Sequence, residues 1–188
     1  LFAIGYEFLC SSFPMMGFSM SWLSERNLVS AISNAGGFGI IACGSMQSEQ
    51  LGEEIEATQK MTNKPFGVNL ILLHPDIDDL IECCVSKKVE LVVFAGGFPK
   101  KRQIELLKSK GIKTMCFATT LSIAKKMILY GIDSLVLEGS EAGGHIGPVS
   151  INVLIQDILP EIKEVPVFVA GGIGRGEIIL KFLQLGAS

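Results

Sequence analysis

A chain of 188 residues that is 48% hydrophobic, with a net charge of −3, can build one globular core. It lacks the concentrated basic surface that binding nucleic-acid phosphates requires. No apolar run reaches the ~18 residues of a membrane span, and the start, Leu1 to Tyr6, has neither an initiator Met nor the basic stretch of a secretory signal. The expectation is a cytoplasmic protein acting on a small molecule, with no nucleic-acid or membrane partner.

Apolar strand-like runs and helical patterns alternate along the chain. The first strand candidate covers residues 14–16. Ser24 can cap the following helix, whose stripe is Leu28, Val29, Ile32 and Ala35 and whose end is Gly36. Strands are expected at 38–42 and 66–70, and Pro75 suits the first turn of a helix continuing through Ile77, Leu80 and Ile81. After a strand at 90–94, the basic run Lys100-Lys101-Arg102 reads as a solvated helix face. A strand at 112–117 precedes a helix capped by Thr120 and closed by Gly131. The strand at 134–137 leads to a helix that starts after Ser150 and stops at Pro160. A seventh strand at 167–170 and a helix using Ile178, Ile179, Phe182 and Leu183, with Gly186 just past its end, complete the series.

Nearly continuous apolar strands suit a parallel sheet covered on both faces. Repeated βα units narrow the α/β class to a doubly wound sheet or a barrel. Seven regularly spaced strands favour a TIM (β/α)8 barrel, truncated before the eighth strand, with residues 1–188 forming a single, apparently fragmentary domain. Five cysteines, an odd number without CxxC or Cys/His ligand spacing, imply free buried thiols rather than disulfides or a metal site.

Active sites of such barrels form at the C-terminal strand ends. The sixth strand runs into Glu138-Gly139-Ser140-Glu141-Ala142-Gly143-Gly144-His145-Ile146-Gly147, which places one of two histidines in a glycine-rich loop. Imidazole moves protons near neutral pH, so His145 suits general acid–base work, although a histidine can also serve a turn structurally. Glu138 can accept hydrogen bonds from a ligand, and Glu141 can brace the loop. Gly171 and Gly172, before a helix starting near Gly176, let backbone amides approach a phosphate. Asn69, polar within an apolar strand, must pair with either a ligand or the protein. His74, before a proline, reads as a local loop residue.

These segments resemble the nitronate monooxygenase family, together with the FMN-dependent enoyl-ACP reductase II enzymes. The likeness is carried by Ser33-Asn34-Ala35-Gly36-Gly37-Phe38-Gly39-Ile40-Ile41, Pro65-Phe66-Gly67-Val68-Asn69, the Glu-Ala-Gly-Gly-His loop and Val169-Ala170-Gly171-Gly172-Ile173. It implies FMN as cofactor, with Met20 near the flavin and Asn69 hydrogen-bonding it. Gly143 and Gly144 would pack against it, Gly171 and Gly172 would bind its phosphate, and His145 would be catalytic. Glu138 stands where the reductase branch tends to carry Glu and many monooxygenases carry Gln. Phe18 and Ser19 depart from the small residues common at the first strand end, and a further phosphate-binding segment would belong to the eighth strand.

The resemblance implies oxidation of alkyl nitronates with O2 to a carbonyl compound and nitrite. Two alternatives stand beside it: an NAD(P)H-dependent flavin reductase acting on an enoyl thioester, and a non-redox barrel that binds a phosphate ligand. The sequence leaves the oligomeric state open.

Overall fold

The computed structural model describes residues 3–144 and 146–188. Their elements run α1 (Ala3–Leu9), β1 (Met16–Gly17), α2 (Arg26–Asn34), β2 (Phe38–Ala42), α3 (Ser48–Met61), β3 (Phe66–Ile71), α4 (Ile77–Ser86) and β4 (Leu91–Ala95). They continue with α5 (Lys101–Ser109), β5 (Lys113–Phe117), α6 (Leu121–Tyr130), β6 (Ser134–Glu138), α7 (Ile151–Ile158), β7 (Val167–Ala170) and α8 (Gly176–Gln184). The chain divides into two compact units, one of Leu9–Thr114 and one of residues up to Phe8 with Met115–Ser188.

In the first unit β1, β2, β3 and β4 pair in chain order and in parallel, with Met16 opposite Phe38, Ile41 opposite Val68 and Val68 opposite Val92. In the second, β5, β6 and β7 do the same, with Cys116 opposite Leu135 and Val136 opposite Phe168. A doubly wound sheet reverses its strand order at a switch point, whereas a barrel adds each strand beside the last. Neither unit contains a reversal. The arrangement is that of a TIM (β/α)8 barrel through its seventh strand.

Each unit has its own core. In the first, Phe66, Val68, Val92 and Phe94 are buried on one face of the strands and Phe38 and Ile40 on the other, and Leu51, Ile55, Leu80 and Ile104 of the helices are buried as well. In the second, Leu135, Val136, Leu137 and Val167 of the strands are buried, as are Met127, Leu154 and Ile158 of the helices. Two lone features dock α2. A Cβ on Gly39 would stand 2.4 Å from the Val29 carbonyl oxygen, so only glycine lets α2 lie so close to β2. The buried Glu54 carboxylate accepts from both the backbone amide and the guanidinium of Arg26, tying α2 to α3.

Several helix ends follow the sequence, and others do not. Thr120 accepts from the Ile123 amide at 3.2 Å, and Gly131 closes α6 with φ of +94°. Ser24 does not cap α2. The capping carboxylate is Glu25, which accepts from Asn27 and Leu28, because Ser24 is occupied within the preceding turn. Helices α1 and α3 are additions to the predicted series. β1 pairs at only Met16 and Gly17, later than expected, since Pro14 has no amide to give a ladder.

No disulfide joins the described cysteines; Cys43, Cys83, Cys84 and Cys116 are buried, but Cys10 is exposed, against expectation. Burial pushes the thiols of Cys43 and Cys116 up to about 12. On α5, Lys101 pairs with Glu105 and Arg102 with Asp78, all well exposed, as a solvated face should be. Among the described residues no helix is long and apolar enough to cross a membrane.

Candidate functional site

In the second unit the chain leaving β6 folds back on itself. The Ser140 amide donates to the Val149 carbonyl at 2.9 Å, closing residues 140–149 into a loop. Two glycines make that closure possible. A Cβ on Gly139 would fall 2.3 Å from the Ile151 nitrogen, and one on Gly147 would fall 2.5 Å from the Glu138 carbonyl oxygen. Neither was singled out from sequence; their signal was their position at the two ends of the glycine-rich motif. Glu141 braces the loop as expected. Its carboxylate accepts the Ile151 amide at 2.8 Å and supplies α7 with the side-chain cap that Ser150 does not provide.

The turn after β7 packs on this loop. Gly171 and Gly172 have φ of +98° and +68°, where glycine is favoured. A Cβ on Gly171 would lie 2.9 Å from the Ala142 nitrogen, and one on Gly172 would lie 2.9 Å from the Glu141 Cβ. The structure therefore brings together the two segments that the sequence had assigned to one ligand. Gly143 and Gly144 differ in kind: both are exposed, and a Cβ on either would meet nothing within 4 Å. Glu138 ends β6 half-buried. Arg175 stands at the N-cap of α8 and bonds Glu177 at 3.2 Å, holding that carboxyl below its ordinary range. This cation beside the glycine turn was not anticipated. His145 lies outside the described residues.

The remaining predicted residues belong to the first unit. Met20, half exposed, sits in the turn after β1. Asn69 is 3% exposed on β3, and its Nδ2 donates to the Val93 carbonyl at 3.4 Å, a long bond across to β4. Of the two partners left open for Asn69, the structure supplies the protein one. His74 accepts the Asp76 amide at 3.1 Å, a local loop role as read.

Chemically, the β6 loop and the β7 turn offer glycine backbone with open space before it, next to the N-terminal end of α8. Backbone amides in such turns at a helix N-terminus are the kind of group that binds anions. Among the described residues no group of His, Cys, Asp and Glu could hold a metal ion. A separate open cavity of about 240 Å³, lined by Asn34, Lys60, Met61, Thr62, Asn63 and Lys64, contains none of the predicted site residues.

Comparison with known proteins shows the family of the chain. The family model for nitronate monooxygenase matches residues 6–84 and 77–188. A Mycobacterium tuberculosis protein named (3aS,4S,5R,7aS)-5-hydroxy-7a-methyl-1-oxo-octahydro-1H-indene-4-carboxyl-CoA dehydrogenase is 33% identical over 177 residues, covering 93% of this chain and 50% of that protein. The structure of FabK from Thermotoga maritima matches with a TM-score of 0.95 and 36% identity, over 100% of this chain and 60% of that one. Nitroalkane oxidase from Streptomyces ansochromogenes matches with a TM-score of 0.89 and 25% identity, over 97% and 65% of the two chains. The chain thus spans about half the length of the curated relative it matches. With the family model covering nearly every residue, this chain belongs to the nitronate monooxygenase family.

Proposed function

We propose that the protein is an FMN-dependent oxidoreductase that oxidises alkyl nitronates, consuming O2 and releasing a carbonyl compound and nitrite. The observation that carries this reading is the packing of the Gly171–Gly172 turn against Glu141 and Ala142, which joins a phosphate-receptive turn to the histidine-bearing loop. The residues present fit FMN, because the space before Gly143 and Gly144 is open and the Gly171 and Gly172 conformations are ones that side chains resist.

In this reading the backbone of Gly171 and Gly172 and the start of α8 receive the phosphate, with Arg175 as a neighbouring cation. Gly143 and Gly144 lie against the cofactor, and Glu138 accepts hydrogen bonds from the ligand. Met20 and Asn69 are assigned to the cofactor by motif position, and Asn69 would exchange or share its long bond to Val93. When bound, FMN supplies the two-electron redox chemistry. His145, assigned by motif position, orients the nitro group or takes the α-proton of a neutral nitroalkane at its imidazole. The Gly171–Gly172 contact and the Glu141 brace fix the start of that loop at Glu141 and Ala142.

The test is nitronate turnover by the FMN-loaded, full-length protein and by His145→Ala. Losing ~10²-fold or more in kcat/KM is expected for removal of a positioned acid–base group; full turnover by the variant would refute the assignment. A second reading, an NAD(P)H-dependent reductase of an enoyl thioester, is favoured by Glu138 and by the relative named as a carboxyl-CoA dehydrogenase. Anaerobic mixing with NADH decides between them, since rapid flavin bleaching supports the reductase. A full-length protein unable to take up FMN would favour a phosphate-ligand-binding barrel without redox chemistry.

A further inference from the structure

The open cavity at the ends of α2 and α3 lies wholly within the first unit. It stands at the start of β3, with Lys64 before the strand and Asn69 five residues further on, about 16 Å away along an extended chain. Its wall is a fixed piece of backbone. Asn34, the last residue of α2, donates from Nδ2 to the Met61 carbonyl at 3.2 Å, and its Oδ1 accepts the Thr62 hydroxyl at 2.6 Å. The Thr62 hydroxyl oxygen accepts the Lys64 amide at 3.0 Å, and the Ser33 hydroxyl donates to the Pro65 carbonyl at 3.0 Å. Residues 61–65 are thereby pinned to α2 at both ends. A wall already held in shape has little freedom left to lose on binding.

The residues lining the cavity include Lys60 and Lys64 and no acid. Among the described residues neither ammonium group has a salt-bridge partner, and Glu56, one turn before Lys60 on α3, is taken by Lys87. Lys60 has an ordinary structural reason, since a cation in the last turn of a helix offsets the negative end of its dipole. Lys64 lies beyond the cap Thr62, where that reason fails. The next helix–strand connection adds Lys87 and Lys88, and Gln59 ties it to α3 by donating to the Lys87 carbonyl at 3.0 Å. The cavity therefore sits in a locally positive field. At about 240 Å³ it is smaller than the roughly 300–1,000 Å³ of sites that enclose a drug-sized ligand, which suits a small anion rather than a coenzyme.

We infer that this cavity binds the phosphate dianion, either free or as the monoester of a small molecule, through the Lys60 and Lys64 ammonium groups and the Asn63 carboxamide. Two cations balance a dianion. Three donors from separate side chains match the several oxygens of a phosphate better than the two of a carboxylate. The site is separate from the proposed reaction and does not rest on it.

The experiment uses the full-length protein saturated with FMN, so that added phosphate does not compete for the Gly171–Gly172 turn. Inorganic phosphate and glycerol 3-phosphate are each titrated against the melting temperature, with sodium chloride at matched ionic strength as the blank. A saturable rise is expected, and the compound that saturates at lower concentration tells the free ion from the monoester. Lys60→Gln/Lys64→Gln should weaken this binding about ten-fold or more, as loss of charge-assisted hydrogen bonds does. Its own melting temperature should hold, because both side chains are exposed. Lys60→Arg/Lys64→Arg should keep most of the affinity. Lys88→Gln/Lys110→Gln removes the same charge from the first unit outside the cavity and should leave the affinity as it is.

An equal loss in the two glutamine pairs means a diffuse attraction with no site, and it overturns the inference. So does the absence of a saturable rise with either compound. Should the Lys60→Gln/Lys64→Gln protein melt lower by itself, Lys64→Gln alone carries the same comparison. A protein that takes up no FMN, yet gives this pattern, refutes the proposed function and leaves the role of the cavity standing.

Discussion

Gly143→Ala separates ligand binding from folding. Gly143 is exposed, lies outside the left-handed region, and, its chain neighbours apart, no described residue has an atom within 4 Å of the place where a Cβ would stand. The added methyl therefore meets none of the described residues beyond its chain neighbours, and apo stability should stay within about 0.5 kcal/mol of wild type. If the flavin lies against this backbone, the methyl occupies its space. Overpacking a close contact costs about 1–3 kcal/mol, which weakens FMN binding roughly ten- to a hundred-fold. Gly171→Ala is the contrasting variant. Its φ of +98° and a Cβ 2.9 Å from the Ala142 nitrogen strain the protein itself. The apo form should then melt lower, by about 2–4 °C for each kcal/mol lost in a chain of this size. Thermal melts of the apo proteins and FMN titrations followed by quenching of flavin fluorescence give both quantities. Wild-type FMN affinity in Gly143→Ala would refute the placement of cofactor at this loop.

Glu141→Ala removes the carboxylate that holds the Ile151 amide. It should cost about 1 kcal/mol, as loss of a helix cap does, and speed hydrogen exchange at Ile151, whereas Glu141→Gln keeps an acceptor and most of the effect. In the native protein at pH 8, Cys10 should react with a thiol reagent well ahead of the four buried cysteines, which react together only after unfolding. Folding keeps Cys43 and Cys116 protonated up to about 12, against 9.0 for an ordinary thiol. The native state then binds more protons than the unfolded chain between these values. Their contribution is complete below pH 9 and is lost as pH rises through that window, so alkaline melts should decline there in wild type and less in Cys43→Ala.

The strands were legible because parallel strands covered on both faces must be apolar throughout. β2 and β7 fall where their apolar runs lie, at Phe38–Ala42 and Val167–Ala170. Helix α3 was not legible, because its buried face mixes Leu51 and Ile55 with Gly52, Glu54 and Thr58. Glu54 reads as a surface residue until Arg26 is seen beside it. The cap of α2 was misread for a related reason. Serine is a favoured cap and glutamate is not, and only the turn that uses the Ser24 hydroxyl leaves the role to Glu25.

At the site, sequence identifies the glycines but not their reasons, and the reasons differ. Gly139 and Gly147 are small because the loop's own backbone presses on them; Gly171 and Gly172 combine that pressure with conformations that side chains resist. All four would be needed by the fold even without a ligand. Gly143 is needed by neither packing nor conformation, and Gly144 by conformation alone. A glycine that neither its conformation nor the described contacts require is one that a ligand outside the chain would account for. The Gly171–Gly172 packing joins the two segments of the proposed site, and the open Gly143 is the position in them that a bound cofactor would explain.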